Sequence, residues 1–365
     1  MRILFYSEAR AWSGSVRAFV AAARGLTARG HQVMFAGPPE SAALGRVGAS
    51  AGAGEALPFR GDGSVVGAAL RLRPILARRF VEVVFVDDAR AHLVAATAAW
   101  LADRAAVVRR VPVGTPPTLS PAGRVALRLA TTGFALSSDD EVHGVLCLAP
   151  TPLQPVVIPL GVDVERYDDV RAMARAESGV AADTELIVCV ADRDSRLRAA
   201  TVLRAVALLA PRHPELRLAV VGAGSDSQEI RVHAAALRIT KRVSFLGGRS
   251  DTQALFAAAD LGWVVAGGDD GAFGTLDLLA SRVPVLAERG TIAQSFVPDG
   301  IAGVLLPPDD PPNCAAAMAR LLALAEERRA MGNAGRARVL RDFPESAMIQ
   351  GFERAALAAG NRAQW

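Results

Sequence analysis

"ELIVCVADRDSRLRAATVLRAVALLAPRHPELRLAVVGAG", residues 185–224, reads as strand, helix, strand. An apolar run stops at Asp192, an Ala/Leu/Arg stretch of helical character follows, and a second apolar run closes on Gly222 and Gly224. Continuous rather than alternating apolar runs mark strands covered on both faces, as in a parallel sheet wrapped by helices. The pattern continues C-terminally through "RVSFLGG" (242–248), "LGWVVAGG" (261–268), "VPVLAE" (283–288) and "GVLLPPDD" (303–310), making six strand candidates. The N-terminal half has the same grammar: "RILFYS", a helix "VRAFVAAARGLTARG" stopping at Gly30, "QVMFAG", "VEVVFVDD" (81–88), a helix over 91–103, "AAVVRRVP", "GFALSS" and "PVVIPLGVD" (155–163). The expected fold is α/β, two Rossmann-like doubly wound domains facing a cleft. The expected divisions are 1–163, 164–343, and a last helix over 344–365 that returns to the first domain after Pro344. Residues 163–184, charged and without long apolar runs, read as the linker.

Composition narrows the function classes. A chain of 365 residues, 51% hydrophobic and 21% charged, has material for two buried cores. No apolar run approaches the roughly 20 residues that span a bilayer, and "MRILFYSEARAW" reads as a strand rather than an export signal. Cys147, Cys189 and Cys314 are odd in number and far apart, and no Cys/His cluster has metal-ligand spacing. No disulfide framework, metal site or bound cofactor is expected, and the expected setting is the cytoplasm, with a peripheral contact at the inner face of the membrane left open. Net charge is +4 with only 5% aromatics, so a stacking platform for nucleic acid is not expected.

The loops after the second-half strands carry the candidate chemistry. Arg193, Arg196 and Arg198 follow the strand that ends at Asp192; cations at a helix start oppose its dipole unless an anion lies nearby, although a solvated basic helix start reads equally well. Gly222-x-Gly224 lacks the third glycine of a dinucleotide fingerprint, that position being Ser227, and reads as a tight turn with a helix cap. Gly248 and Arg249 follow the next strand, where a flat base can approach backbone. In "GGDDGAFGTLDLLASRVP" (267–284), Asp269 and Asp277 stand eight positions apart around Gly271-Ala272-Phe273-Gly274. A helix beginning near Thr275 is expected to point the N–H groups of Gly274 and Thr275 at a phosphate, with Asp277 in its first turn. Asp277 then suits the two hydroxyls of a ribose and Asp269 those of a sugar; a helix-dipole acid and an Asx turn are the plainer readings.

Taken together these segments resemble the GT-B glycosyltransferases, and are most similar to family 4, the retaining type. "VVIPLGVDVERY" (156–167) resembles its interdomain signature, and "LRLAVVGAG", "KRVSFLGG", "LFAAADLGWVV", "GVLLPPDD" and "RARVLRDF" follow in order. Asp269 and Asp277 have the spacing of its paired glutamates, but as aspartates, with Phe273-Gly274 two positions late; Asp270 is the substitute for Asp269. Arg193 matches the diphosphate arginine, while Leu197 holds the lysine position, leaving Arg196 or Arg198 to serve. Ser13-Gly14 stands for the N-terminal glycine pair, and Leu160 for the signature Asn.

The resemblance implies transfer of a sugar from a nucleoside diphosphate sugar, its only co-substrate, to an acceptor hydroxyl, without metal and with retained configuration. Arg193, Arg198 and Asp269 are the implied catalytic residues. Gly14, Arg196, Gly248, Arg249, Asp270, Phe273, Gly274, Thr275 and Asp277 are implied donor contacts; Trp12, Ser13, Arg109 and Arg110 are acceptor candidates. The acceptor class stays open among saccharide, lipid-linked and small-molecule hydroxyls. "RLRPILARRF" (71–80), with its arginines and no acid, reads as a membrane-surface patch or as a solvated helix. His92 reads as a cap or core contact. Against the transferase stand a non-catalytic GT-B-like nucleotide-binding or scaffold protein, a periplasmic-type binder, an NAD-dependent enzyme and a sugar-nucleotide epimerase.

Overall fold

The computed structural model describes residues 1–50, 52–115, 121–138, 141–142, 155–167, 175, 181, 183–249 and 251–362. The chain forms two compact units, Met1–Gly161 with Glu345–Trp365, and Val162–Pro344.

The first unit is built on the parallel strands β1 (Arg2–Tyr6), β2 (Gln32–Gly37), β3 (Glu55–Pro58), β4 (Val83–Val86), β5 (Ala106–Arg110), β6 (Thr131–Leu136) and β7 (Val156–Val157), in the order β3-β2-β1-β4-β5-β6-β7. Its helices are α1 (Gly14–Ala28), α2 (Ala42–Ala49), α3 (Val65–Arg78), α4 (Ala89–Ala102) and α5 (Pro121–Leu129). Every strand that the apolar runs single out is present. The edge strand β3 has no such run: Glu-Ala-Leu-Pro is half exposed, pairs only with β2, and ends in a proline, which an edge tolerates. The expected strand over 155–163 contracts to Val156–Val157, followed by an Ile158 N–H bond to the Leu136 carbonyl at 2.7 Å. Pro74 lies inside α3.

The second unit has β8 (Glu185–Val190), β9 (Leu216–Val221), β10 (Val243–Gly247), β11 (Leu261–Val264), β12 (Val285–Glu288) and β13 (Gly303–Leu306), ordered β10-β9-β8-β11-β12-β13 and all parallel. Its helices are α6 (Arg196–Leu209), α7 (Gln228–Ala236), α8 (Gln253–Ala258), α9 (Gly268–Ala280), α10 (Pro311–Ala323) and α11 (Ala325–Asp342). Trp263 of β11 is fully buried in its core. The entry and exit of this unit are bonded together, Val162 N–H to the Phe343 carbonyl at 2.9 Å.

The terminal helix α12 (Glu345–Arg362) packs on α1 and the sheet of the first unit. Phe352, fully buried, meets Phe85 edge-on at 5.3 Å, and Phe85 stacks on Phe5 at 5.2 Å. Glu345 pairs with Arg24, and Glu353 bonds Arg29 and His31.

One expectation is corrected. Gly271-Ala272-Phe273-Gly274 is not a loop: helix α9 begins at Gly268, and the run lies inside it. The small residues serve close packing. A Cβ at Gly271 would fall 2.1 Å from the Ala266 carbonyl oxygen, and one at Gly274 would fall 2.8 Å from Val190. A glycine-rich run therefore signals a helix pressed onto its own sheet rather than an open turn.

Helix α9 ends on Ser281, and the next residue, Arg282, adopts φ +59, a left-handed conformation normally given to glycine at this place. Arg282→Gly is expected to stabilise the protein by about 1 kcal/mol. Urea unfolding checks this; an unchanged or lower midpoint contradicts it.

Candidate functional site

In each unit the strand order reverses between two central strands, β1/β4 and β8/β11, and the carboxyl ends at such a reversal are where doubly wound sheets take their ligands. In the second unit one carboxylate organises that end. Asp192, just past β8, accepts from the N–H of Asp194 at 3.0 Å and of Ser195 at 2.7 Å through Oδ1. Its Oδ2 accepts from the N–H of Gly267, the residue capping α9, at 2.7 Å. The start of α6 and the start of α9 are thereby fixed to one another.

The arginines lie on the α6 side. Arg193 is exposed; Arg196 opens α6 and pairs with Glu229 at 2.8 Å; Arg198 reaches the Val265 carbonyl, past β11, at 3.4 Å. Arg198 also faces Glu288, the last residue of β12. Burial holds the Glu288 carboxyl above its ordinary range, the Arg198 charge opposes that rise, and Glu288 Oε1 has no hydrogen-bond partner among the described residues. Asp269 and Asp270 occupy the first turn of α9, with Asp269 buried. The structure brings Arg193, Arg198, Asp269 and Asp270 to one end of the sheet. Asp192 and Glu288 join them, and both are readable in principle as acids ending apolar strand runs.

Of the remaining second-unit candidates, two lie farther along the same carboxyl edge and four lie inside α9. Gly248 and Arg249 follow β10, and Arg249 makes a two-pronged pair with Asp251 at 3.0 and 2.8 Å. Phe273, Gly274, Thr275 and Asp277 are buried within α9, not at its start. The Thr275 hydroxyl bonds the Gly271 carbonyl at 2.7 Å, so the expected phosphate-facing N–H pair at Gly274 and Thr275 is part of a continuous helix. Asp277, expected in a first turn, lies in the third, where its Oδ1 accepts from the Tyr167 hydroxyl at 2.7 Å. After β9 the Ser225 N–H closes a turn on the Gly222 carbonyl at 3.1 Å, the tight turn the sequence suggests.

In the first unit the corresponding end carries a polar row. Pairings of β1 and β5 with β4 bring Ser7, Asp87 and Arg110 side by side just past the paired residues Tyr6, Val86 and Arg109. Ser7 Oγ donates to Asp87 Oδ2 at 2.8 Å, and Arg110, 2% exposed, reaches Ser15 Oγ at 3.5 Å. Asp87 Oδ1 has no hydrogen-bond partner among the described residues. Ser13 caps α1, accepting from the Val16 N–H at 3.4 Å, and Gly14 is its first residue. Trp12 lies under the Arg46 guanidinium, 4.3 Å away, rather than at an open stacking face. Arg109 neighbours His92, which is fully buried; burial and then the Arg109 charge push the imidazole down to about 3, so His92 is a neutral core histidine.

Residues 170–338, under half the chain, match the family model of glycosyl transferases group 1. The D-inositol 3-phosphate glycosyltransferase of Corynebacterium jeikeium is 34% identical over 190 residues, covering 48% of this chain and 45% of that protein. The GDP-mannose-dependent alpha-(1-6)-phosphatidylinositol monomannoside mannosyltransferase of Mycolicibacterium smegmatis is 32% identical over 191 residues, covering 49% and 50%. The chain spans about half the length of the curated relatives it matches. Among solved structures, HepE of Anabaena with UDP-glucose superposes with TM-score 0.79 at 17% identity over 98% of this chain and 100% of that one. Sucrose-phosphate synthase of Thermosynechococcus elongatus gives 0.76 at 19%, over 97% and 98%.

The Asp87 carboxyl is testable alone. Burial first, then the neighbouring Asp88 charge, raises it from 3.8 to about 7, against the Ser7 bond and the Arg110 charge. A raised folded-state value means the native protein keeps this proton where the unfolded chain has lost it. The stabilisation is full below pH 4 and is lost as pH rises through 7. Asp87→Asn, which cannot ionise, is therefore expected to gain stability relative to wild type between pH 4 and pH 8, on the order of 3 kcal/mol. Urea unfolding at both pH values measures it; a constant difference contradicts it. With two parallel-sheet, doubly wound units and these structural neighbours, the chain has the fold of the GT-B glycosyltransferases.

Proposed function

We propose that this protein is a retaining glycosyltransferase that moves a sugar from a nucleoside diphosphate sugar to an acceptor hydroxyl without a metal ion. The observation that carries the reading is the charge layout around Asp192. The start of α9 already has one N–H on the Asp192 carboxylate and two acids, Asp269 and Asp270, in its first turn. Its dipole is answered, so a diphosphate finds little attraction there. Arg193 and Arg198, across from those acids, supply the positive charge instead. Acids on one side accept from sugar hydroxyls, and guanidiniums on the other meet a departing diphosphate.

In this reading the chemistry is charge stabilisation plus positioning. Arg198, with Arg193, stabilises the diphosphate as it leaves an oxocarbenium-like sugar. A leaving phosphate oxygen takes the acceptor's proton, so no separate base is required. Asp269 and Asp270 hold sugar hydroxyls. Asp277 remains the ribose acid, its orientation fixed by the Tyr167 hydroxyl. The acceptor is an alcohol held by the first unit, where Ser7, Asp87 and Arg110 offer a polar floor. The matched segment and the names of the relatives support a sugar nucleotide as donor, and a polyol phosphate or lipid-linked glycan as acceptor class.

Turnover with UDP-, GDP- and ADP-sugars against inositol phosphate and phosphatidylinositol mannoside acceptors tests this reading. One donor is expected to be used, with the product keeping the donor's anomeric configuration by NMR and the rate unchanged by EDTA. Arg198→Ala is expected to lower kcat about 10²-fold or more, and Asp277→Asn to weaken nucleoside diphosphate binding about tenfold, or about 1.4 kcal/mol. Inverted product, loss of rate in EDTA, or no binding of any nucleoside diphosphate contradicts the proposal; the last outcome favours a scaffold.

A further inference from the structure

Helices α3 and α4 pack side by side on one face of the first unit's sheet. Neither contains an acid. Helix α3 buries Ala68, Ala69, Leu72 and Leu76 and turns Val66, Leu70, Arg73 and Ala77 outward, at the spacing of a single helical ridge. The ridge is apolar where a solvated helix would be polar: Val66 is 60% exposed and Leu70 54%. Phe80, in the turn after α3, is 52% exposed and Trp100, near the end of α4, 59%. Among the described residues before 116, these four are the only exposed large apolar side chains, and all lie on this pair of helices or the turn after the first.

Arginines frame them. Arg73 bonds the Leu101 carbonyl at 2.9 Å, bringing the α3 ridge beside Trp100. Arg2 and Arg104 stand 5.3 and 5.1 Å from the Phe80 ring. Arg71, Arg78 and Arg79 are exposed as well; Arg79 pairs with Glu55, Glu82 beside Phe80 accepts from the Arg2 N–H at 2.6 Å, and the other flanking acids are exposed Asp62 before α3, Asp88, which caps α4, and exposed Asp103. Among the described residues no helix is long and apolar enough to cross a membrane.

We infer that the α3/α4 face is a docking surface for an anionic phospholipid bilayer, with Val66, Leu70, Phe80 and Trp100 entering the headgroup boundary and the arginines meeting lipid phosphates. Charge complementarity selects this occupant: arginines around a Trp/Phe/Leu ridge, in two helices without acids, match a surface that is negative outside and apolar beneath. A protein partner would need matching acids, and a second copy of this face would bring arginine against arginine. This surface would hold the chain beside membrane-borne acceptors.

Co-sedimentation of the full chain with vesicles, in the absence of nucleotide, tests the surface separately from the donor site. Binding is expected to vesicles of equal parts phosphatidylcholine and phosphatidylglycerol, weakly or not at all to phosphatidylcholine alone, and to fall as salt is raised. Leu70→Ser with Trp100→Ser, and separately Arg78→Glu with Arg104→Glu, are each expected to cut the partition at least about tenfold. These side chains are exposed, so the melting curves should stay near wild type, and Val232→Ser, on α7 of the second unit, should bind as wild type. No binding to anionic vesicles, equal binding to neutral ones, or undiminished binding of both double variants overturns the inference. So does sedimentation velocity showing a dimer that the Leu70/Trp100 variant dissolves, which would assign the face to a second copy.

Discussion

The working end of the second unit depends on a single carboxylate. Asp192 holds three backbone N–H groups, two at the start of α6 and one at the cap of α9. Hydrogen bonds to an ionised acceptor are shorter and roughly twice as strong as neutral ones, so this knot is rigid where a loop would otherwise wander. It sits where the strand order reverses, the position at which a doubly wound sheet opens toward a ligand. It also decides the electrostatics. With Asp192 on Gly267 and Asp269 and Asp270 in the first turn, the positive end of α9 is already answered, and Arg193 and Arg198 become the available counter-charge for an anion.

The first unit follows the same logic with other residues. Its reversal point lies between β1 and β4, and there Ser7, Asp87 and Arg110 line up across three strands. Asp87 there is buried, its carboxyl raised above the ordinary range chiefly by that burial, with Ser7 bonded to one oxygen. The two ends are thus chemically different: an exposed, acid-flanked guanidinium in the second unit, a buried hydroxyl, carboxyl and guanidinium row in the first.

Much of the fold was legible in the sequence because parallel strands buried on both faces leave continuous apolar runs. "ELIVCVAD" and the five runs after it all became neighbouring strands. Glu55–Pro58 was not legible: an edge strand needs apolar residues on neither side of its backbone, and its pairing to β2 is set by the sheet. At the site, the placement of Arg193, Arg198, Asp269 and Asp270 could be read from strand ends. The glycine run could not, because the same residues serve a flexible turn or a helix lying on a strand, and only the nearness of Ala266 and Val190 separates the two. Asp277 was displaced for that reason. Its bond to Tyr167, 110 positions away, has no local signature, and neither does the Asp192 link to Gly267, 75 positions away.

The most direct test of this account is amide hydrogen exchange with and without the nucleoside diphosphate of the preferred donor. The knot at Asp192 predicts added protection within the second unit at 191–198 and 265–271, the two segments that it joins, and along α9 as far as Asp277. Protection that leaves both segments unchanged and appears instead at the opposite, amino-terminal ends of the strands would contradict the assignment of this end of the sheet as the donor site.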